Sequence, residues 1–166
     1  MKKTQAQPLE KAAKGEASMR SLGDSLPLKL LKAREAIMDQ FRPQLNAHGI
    51  TAQQWRVLRA LVEQTEMDAG ALARMVAIRM PSISRILKSL ETNGLVTKSR
   101  SEEDKRLVDV RITDKGIALY RRMAPHSELV YRQIQETLGE ETYRKLMVQL
   151  DDLMDKFSDA GSSKSS

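Results

Sequence analysis

The sequence predicts a mainly α-helical fold with one small β-hairpin, and three patterns in its 166 residues support this prediction. Apolar residues recur at helical spacing along most of residues 25–158. They alternate with polar residues only within residues 95–113, as in a half-buried pair of strands. Glycine, which often ends helices, stands where the helical patterns stop, at Gly49, Gly94 and Gly139. We therefore expect one compact helical domain that contains a single hairpin.

The first two helices are predicted on either side of Gly49. Asp24 or Ser25 can cap the first helix, because both side chains accept hydrogen bonds from free backbone N–H groups. Thr51 and Gln54 have the three-residue spacing of a capping box, which predicts that the second helix begins there.

The next two helices are shorter. Asp68 is expected to cap the third helix, and Pro81 fits the first turn of the fourth, which extends to Asn93. The fourth helix is amphipathic, and its apolar face consists of Ile83, Ile86, Leu87 and Leu90. Residues 95–101 and 106–113 then form the hairpin. Over residues 51–113, this order of three helices and a hairpin is that of a winged helix-turn-helix.

Two long helices complete the domain. Thr113 can cap the first of them, in which Pro125 predicts a bend, and Gly139 separates it from the last helix. The last helix carries an almost heptad seam, which indicates a helical partner; it consists of Tyr143, Leu146, Met147, Leu150, Leu153, Met154 and Phe157. Residues 1–24 and 159–166 have few large apolar side chains, and we interpret them as a flexible basic arm and a flexible tail.

Composition excludes several classes of function. The net charge is +6, and the cationic excess precedes residue 114, which favours anionic partners such as nucleic acid. The chain has no cysteine, so disulfides and thiol chemistry are excluded. It has neither a signal peptide nor an apolar stretch that could span a membrane, so we expect a cytoplasmic protein. With two histidines, no Gly-rich phosphate loop and no metal-ligand spacing, an enzyme is disfavoured and no cofactor is expected.

The polar face of the fourth helix carries the first candidate DNA contacts, because the second helix of a helix-turn-helix enters the major groove. Arg85 has the fork that matches guanine edges, and Lys88 suits a phosphate or a base acceptor. Ser82 and Ser84 are short enough for close approach, and Pro81 is harmless at a helix start. The alternative is a solvated surface helix.

The hairpin tip supplies the second candidate contact. Asp104, Lys105 and Arg106 lie near this tip, where an extended basic side chain can enter the minor groove. Asp104 can hold the guanidinium of Arg106 in place. Glu102 and Glu103 lower the expected affinity, because they bring carboxylates close to the phosphates. The alternative is an ordinary charged turn.

A candidate ligand site follows from Arg34, which interrupts the apolar face of the first helix. A buried guanidinium requires an anion, and the carboxylate of a small ligand could supply it, with Trp55 as an aromatic wall and His48 as a hydrogen-bonding group. The alternatives are a protein carboxylate or water for Arg34, a core position for Trp55, and a cap or surface position for His48.

Two motifs resemble the MarR family of bacterial transcription regulators. DKRLVDVRIT, residues 104–113, fits the wing pattern D-x-R-x-x-x-V-x-(L/I)-T, and PSISRILKSLETNGLV, residues 81–96, is similar to the family's recognition helix and first wing strand. The resemblance covers about residues 25–158 and implies a homodimer built from the helices of residues 25–48 and 114–158. It also implies binding to a palindromic DNA operator, usually as a repressor.

Residues 26–61 are similar to the branch of the family that represses homoprotocatechuate catabolism operons. That similarity implies a phenylacetate-type aromatic acid, or its coenzyme A ester, as effector. Family effectors bind between the dimer helices and the DNA-reading lobe, where Arg34, His48 and Trp55 are expected. Two alternatives stay open: a helical dimeric adaptor without DNA binding, and a MarR-type regulator of stress or antibiotic response with a different effector. DNA binding that weakens with salt separates a regulator from an adaptor.

Overall fold

The computed structural model describes residues 21–100 and 106–162, with side chains as far as residue 157. A short 3-10 helix, Leu22–Asp24, precedes six α-helices and three strands. These elements are α1 (Leu26–Ala47), α2 (Ala52–Gln64), β1 (Glu66–Asp68), α3 (Ala69–Met75), α4 (Met80–Thr92), β2 (Val96–Arg100), β3 (Val108–Ile112), α5 (Asp114–Leu138) and α6 (Glu140–Ser162). The predicted class, mainly α with a small sheet, is confirmed.

The chain forms two compact units, and the boundary between them falls within α1, between Asp39 and Gln40. The described part of the first unit consists of the 3-10 helix and the beginning of α1. Most of its large apolar side chains are exposed, namely Leu22, Leu26, Leu30, Leu31 and Ile37. Such a row of exposed apolar side chains on one segment is a typical feature of surfaces that bind another molecule.

The second unit contains the predicted winged helix-turn-helix, and local capping explains where its helices begin. The Thr51 hydroxyl accepts a hydrogen bond from the Gln54 N–H at 3.1 Å, and the Thr51 N–H donates to Oε1 of Gln54 at 2.8 Å. Asp68 Oδ1 accepts from the N–H groups of Gly70 and Ala71, each at 2.9 Å. Both predicted caps are confirmed, so the sequence itself sets the starts of α2 and α3.

The core lies where α2, α3, α4, the sheet and α5 meet. Its most completely buried large side chains are Leu58, Leu61, Leu72, Ile83, Leu90, Met123, Val57, Val96 and Val110. Each contributes roughly 1.5–3 kcal/mol by leaving water, so the packing of α4 on this core is the main stabilisation of the helix-turn-helix.

The predicted hairpin forms β2 and β3, but the sheet has a third strand. The strand order is β1-β3-β2, with all pairs antiparallel. Val96 of β2 lies opposite Ile112, and Met67 of β1 lies opposite Val110. The sequence did not predict β1, because three residues are too few to show an alternating pattern. The hairpin turn at residues 101–105 lies outside the described residues.

Thr113 caps α5 as predicted, since its hydroxyl accepts a hydrogen bond from the Gly116 N–H at 3.1 Å. Pro125 lies inside α5, which continues to Leu138, and Gly139, at φ +78°, separates α5 from α6. Helix α6 extends to Ser162 and so includes the first residues of the predicted tail, while residues 1–20 of the predicted arm lie outside the described chain. Every helix in the described ranges is too short or too polar to span a bilayer.

Candidate nucleic-acid interface and ligand site

Helix α4 presents one face to the core and the other to solvent, as its sequence predicts. Its buried side chains are Ile83, Ile86, Leu87 and Leu90. The five predicted contact residues are all exposed; they are Pro81, Ser82, Ser84, Arg85 and Lys88. The polar face of α4 is therefore accessible, and a helix of this width fits into the major groove of DNA.

The amino end of α4 has no side-chain cap. The N–H groups of Ser82 and Ile83 both donate hydrogen bonds to the carbonyl of Arg79 at 2.9 Å, and Pro81 has no N–H to offer. The hydroxyl of Ser84 donates to the Met80 carbonyl at 3.0 Å, which leaves its oxygen as an acceptor. The dipole of α4 and the guanidinium of Arg85 both favour an anion at this face of the helix.

Two further cations border this surface. Arg74 and Arg79 are exposed and line the groove at the turn between α3 and α4. This turn contains Ala77 in the left-handed region, at φ +50°. The sequence analysis did not select these arginines; the available signal was their position in the helix-turn-helix segment, since phosphate contacts commonly flank the recognition helix.

The wing carries the second predicted set of DNA contacts, and only part of it lies within the described residues. Arg106 is exposed just before β3, whereas Asp104 and Lys105 lie outside the described residues. Two other cations of the sheet are paired within the chain: Lys98 binds Glu91 of α4 at 2.8 Å, and Arg111 binds Glu66 of β1. These two ion pairs connect the hairpin to α4 and to β1.

The three residues predicted to bind a ligand have the following contacts. Arg34, in the first unit, is about half exposed and forms an ion pair with Glu35. In the second unit, the Nδ1 atom of His48 lies 3.0 Å from the Gln44 carbonyl at the end of α1. Trp55 is buried and stacks on Tyr120, with ring centres 5.4 Å apart.

A cation that the sequence analysis missed lies one turn after Trp55 on α2. Nη1 of Arg59 donates a hydrogen bond to the hydroxyl of Tyr131 at 2.6 Å, and the guanidinium lies 5.5 Å from the centre of that ring. Phe41 packs edge-on against the same ring, with centres 5.0 Å apart. The signal available in the sequence was the i, i+4 spacing of Trp55 and Arg59, which places both on one helix face.

The neighbouring turn of α5 carries a second polar contact. Nε2 of Gln44 donates to the hydroxyl of Ser127 at 3.1 Å, and Ser127 is 3% exposed. Oε1 of Gln44 is buried and, among the described residues, has no hydrogen-bond partner. We call Gln44, Arg59, Ser127 and Tyr131 the α5 polar cluster. A buried acceptor without a donor is costly.

Comparison with known proteins agrees with this geometry. Residues 50–108 match the MarR family model. The homoprotocatechuate degradative operon repressor of Escherichia coli is 40% identical over 141 residues, which cover 85% of this chain and 93% of the relative. The transcriptional regulator FarR of Neisseria gonorrhoeae is 40% identical over 130 residues, which cover 78% of this chain and 86% of that protein.

A solved structure gives the same result. The crystal structure of NadR in complex with 4-hydroxyphenylacetate is 38% identical, with a TM-score of 0.68, and the match covers 84% of this chain and 96% of NadR. The helix-turn-helix, the wing and these similarities lead to one assignment. The chain belongs to the MarR family of winged helix-turn-helix transcriptional regulators.

Proposed function

We propose that the protein is a cytoplasmic repressor of an operon for aromatic-acid catabolism, and that a small aromatic carboxylate releases it from DNA. The observation that carries the proposal is the exposed polar face of α4, which holds Arg85 and Lys88 at the surface. Such a face has the cations and the width that major-groove recognition requires. The name of the Escherichia coli relative supports the assignment to aromatic catabolism. We expect no catalytic activity and no cofactor.

The repressor acts as a homodimer in this proposal. Large apolar side chains are exposed on α6, and they include Leu146, Met147, Val148 and Phe157. A second copy of the chain would cover this surface as well as the exposed apolar residues of α1. A two-fold dimer presents two α4 helices, which read the half-sites of a palindromic operator about one helical turn, roughly 34 Å, apart. Arg106, and Lys105 outside the described residues, would contact the minor groove beside each half-site, and Asp104, also outside them, would hold the Arg106 guanidinium in place.

The effector site is proposed at the α5 polar cluster. Arg59 is half-buried and donates to Tyr131, whose ring packs against Phe41, so a ligand carboxylate could form two parallel hydrogen bonds with its guanidinium in a poorly hydrated setting. His48 stays a candidate from the sequence for a second polar contact, and Arg34, in the first unit, stays a separate candidate for binding the carboxylate. The bound 4-hydroxyphenylacetate of NadR supports an aromatic acid of this size. A free acid suits Arg59 better than a coenzyme A ester, whose thioester has lost the carboxylate charge.

Release from DNA follows from linkage. A ligand that prefers the arrangement of the dimer that cannot contact two successive grooves lowers operator affinity by the ratio of its affinities for the two arrangements. A thousandfold preference corresponds to about 4 kcal/mol.

The experiment has two steps. The purified protein is first used to select fragments from a genomic pool, and the bound duplex is then titrated by fluorescence anisotropy with and without 4-hydroxyphenylacetate. We expect nanomolar specific binding that weakens steeply with salt and that the ligand reduces. A protein that selects no duplex at low salt is not a repressor, and the adaptor alternative then stands.

A further inference from the structure

Gln54 forms two side-chain hydrogen bonds that join two helices. Its Oε1 accepts from the Thr51 N–H at 2.8 Å and completes the capping box of α2. Its Nε2 donates to the hydroxyl of Ser89 on α4 at 3.0 Å. The capping box needs only an acceptor at this position, which glutamate also provides. The amide N–H donor of Gln54 therefore has a separate role, which is the contact with α4.

Arg56, two residues later, fastens the same helix to the turn that precedes α4. Its Nη1 donates to the carbonyl of Val76 at 2.8 Å. Val76 is buried at the end of α3, and the strained Ala77 follows it. A charged donor on a backbone carbonyl at a helix end is a strong contact, because the carbonyls there have no partner within the helix.

The two contacts hold α4 near its two ends. The Ser89 contact lies in its last turn, and the Val76 contact lies just before its first. Apolar packing already holds the helix against the core, but this attraction has no direction and permits a small rotation or slide. Hydrogen bonds are directional and weaken steeply when bent, so these two restrict the rotation and sliding of α4 that apolar packing permits.

We propose that Gln54 and Arg56 are positioning residues for operator recognition. They lie on α2, away from the polar face of α4, and act by fixing the angle at which Arg85 and Lys88 meet the base edges. Recognition of bases tolerates an error of roughly 0.5 Å or 10–20°, whereas contacts to phosphates tolerate far more. Loss of either contact therefore lowers specific affinity and leaves nonspecific affinity unchanged. The inference rests on the proposed function, since it concerns the reading of an operator.

The test uses the duplex that the wild-type protein selects and a scrambled duplex of equal length. Three variants are compared with the wild type: Ser89→Ala, Arg56→Met and the two combined. Ser89→Ala leaves the capping box intact and raises the helix propensity of α4, so a weaker helix cannot explain a loss. We expect a fivefold to tenfold loss of specific affinity for each single variant, with unchanged binding to the scrambled duplex. Arg56→Lys, which keeps a donor, should recover part of the loss.

Arg121→Met is the matched control, because Arg121 is exposed on α5, and it should bind both duplexes as the wild type does. Wild-type ratios of specific to nonspecific affinity in both single variants would overturn the inference. An equal loss on both duplexes that follows a lowered melting temperature would also overturn it, as the role would then be structural only. A wild-type protein that selects no duplex removes the proposed function and this inference together.

Discussion

Arg59 and Tyr131 are joined twice, by a hydrogen bond of 2.6 Å and by the position of the guanidinium 5.5 Å from the ring centre. The two residues are 72 positions apart in the sequence, and they connect α2 to α5. Phe41 packs edge-on against the same ring, and Arg59 is half-buried, a setting in which an ion pair is stronger than at the surface.

Arg59→Met should therefore weaken the binding of 4-hydroxyphenylacetate. Methionine keeps much of the apolar stem and removes the charge, and a hydrogen bond to a charged group contributes about 1.5–3 kcal/mol. We expect a loss of roughly tenfold to a hundredfold, measured by isothermal titration calorimetry. Arg34→Met is the comparison. If it weakens binding while Arg59→Met does not, the carboxylate lies at Arg34.

Arg85→Ala should reduce the affinity for the selected operator by about 1–3 kcal/mol, as expected for a bidentate contact with guanine. It should also relax the preference for one base pair in each half-site. Lys88→Ala is expected to weaken all duplexes similarly and to lower the salt slope by about one if Lys88 binds a phosphate. Anisotropy titrations at several salt concentrations separate the two effects. An Arg85 variant that retains full base preference would contradict the assigned role.

Phe157→Glu should disrupt the dimer. Phe157 is 71% exposed in the single chain, and a carboxylate there would be buried without a partner in the dimer interface. We expect monomers in sedimentation velocity and loss of operator binding at concentrations where the wild type is dimeric. Leu107→Glu, at an exposed apolar residue beside the wing, should leave the dimer intact. A dimeric Phe157 variant would place the interface elsewhere.

Gly116→Ala should destabilise the fold. A Cβ atom at this position would lie 2.3 Å from the Leu95 carbonyl oxygen and 2.7 Å from Cγ1 of Ile112. The start of α5 must then move away from Leu95 and from the end of β3, and such overpacking costs about 1–3 kcal/mol. Urea unfolding measures the change. Gly23→Ala is the control, because its nearest atom would be Oγ of Ser21 at 3.6 Å, and equal losses in both variants would refute the steric explanation.

Local signals account for the part of the fold that the sequence predicted. The caps at Thr51, Asp68 and Thr113 depend on residues two or three positions away, so each is visible in a short segment. Strand β1 is different, since Glu66 pairs with Arg111 far along the chain. Its three residues have no pattern of their own, and only the folded hairpin gives them a partner.

In the candidate site too, local features were predictable from the sequence and contacts between distant residues were not. The polar face of α4 was predictable, because its buried and exposed residues follow the helical period. The Arg59 contact was not, because it joins α2 to a tyrosine on a distant helix. Arg34 drew attention because it interrupts an apolar stripe, but a stripe does not reveal that Glu35 pairs with it at the surface.

The backbone bonds between β1 and β3 have a further consequence. Strand β1 leads directly into the cap of α3. Its backbone hydrogen bonds with β3 therefore link the hairpin to the helix-turn-helix that contains α4. The described strands of the hairpin and α4 therefore belong to one connected framework. We expect an effector to change the distance between the two copies of this framework in the proposed dimer, and not to deform either copy.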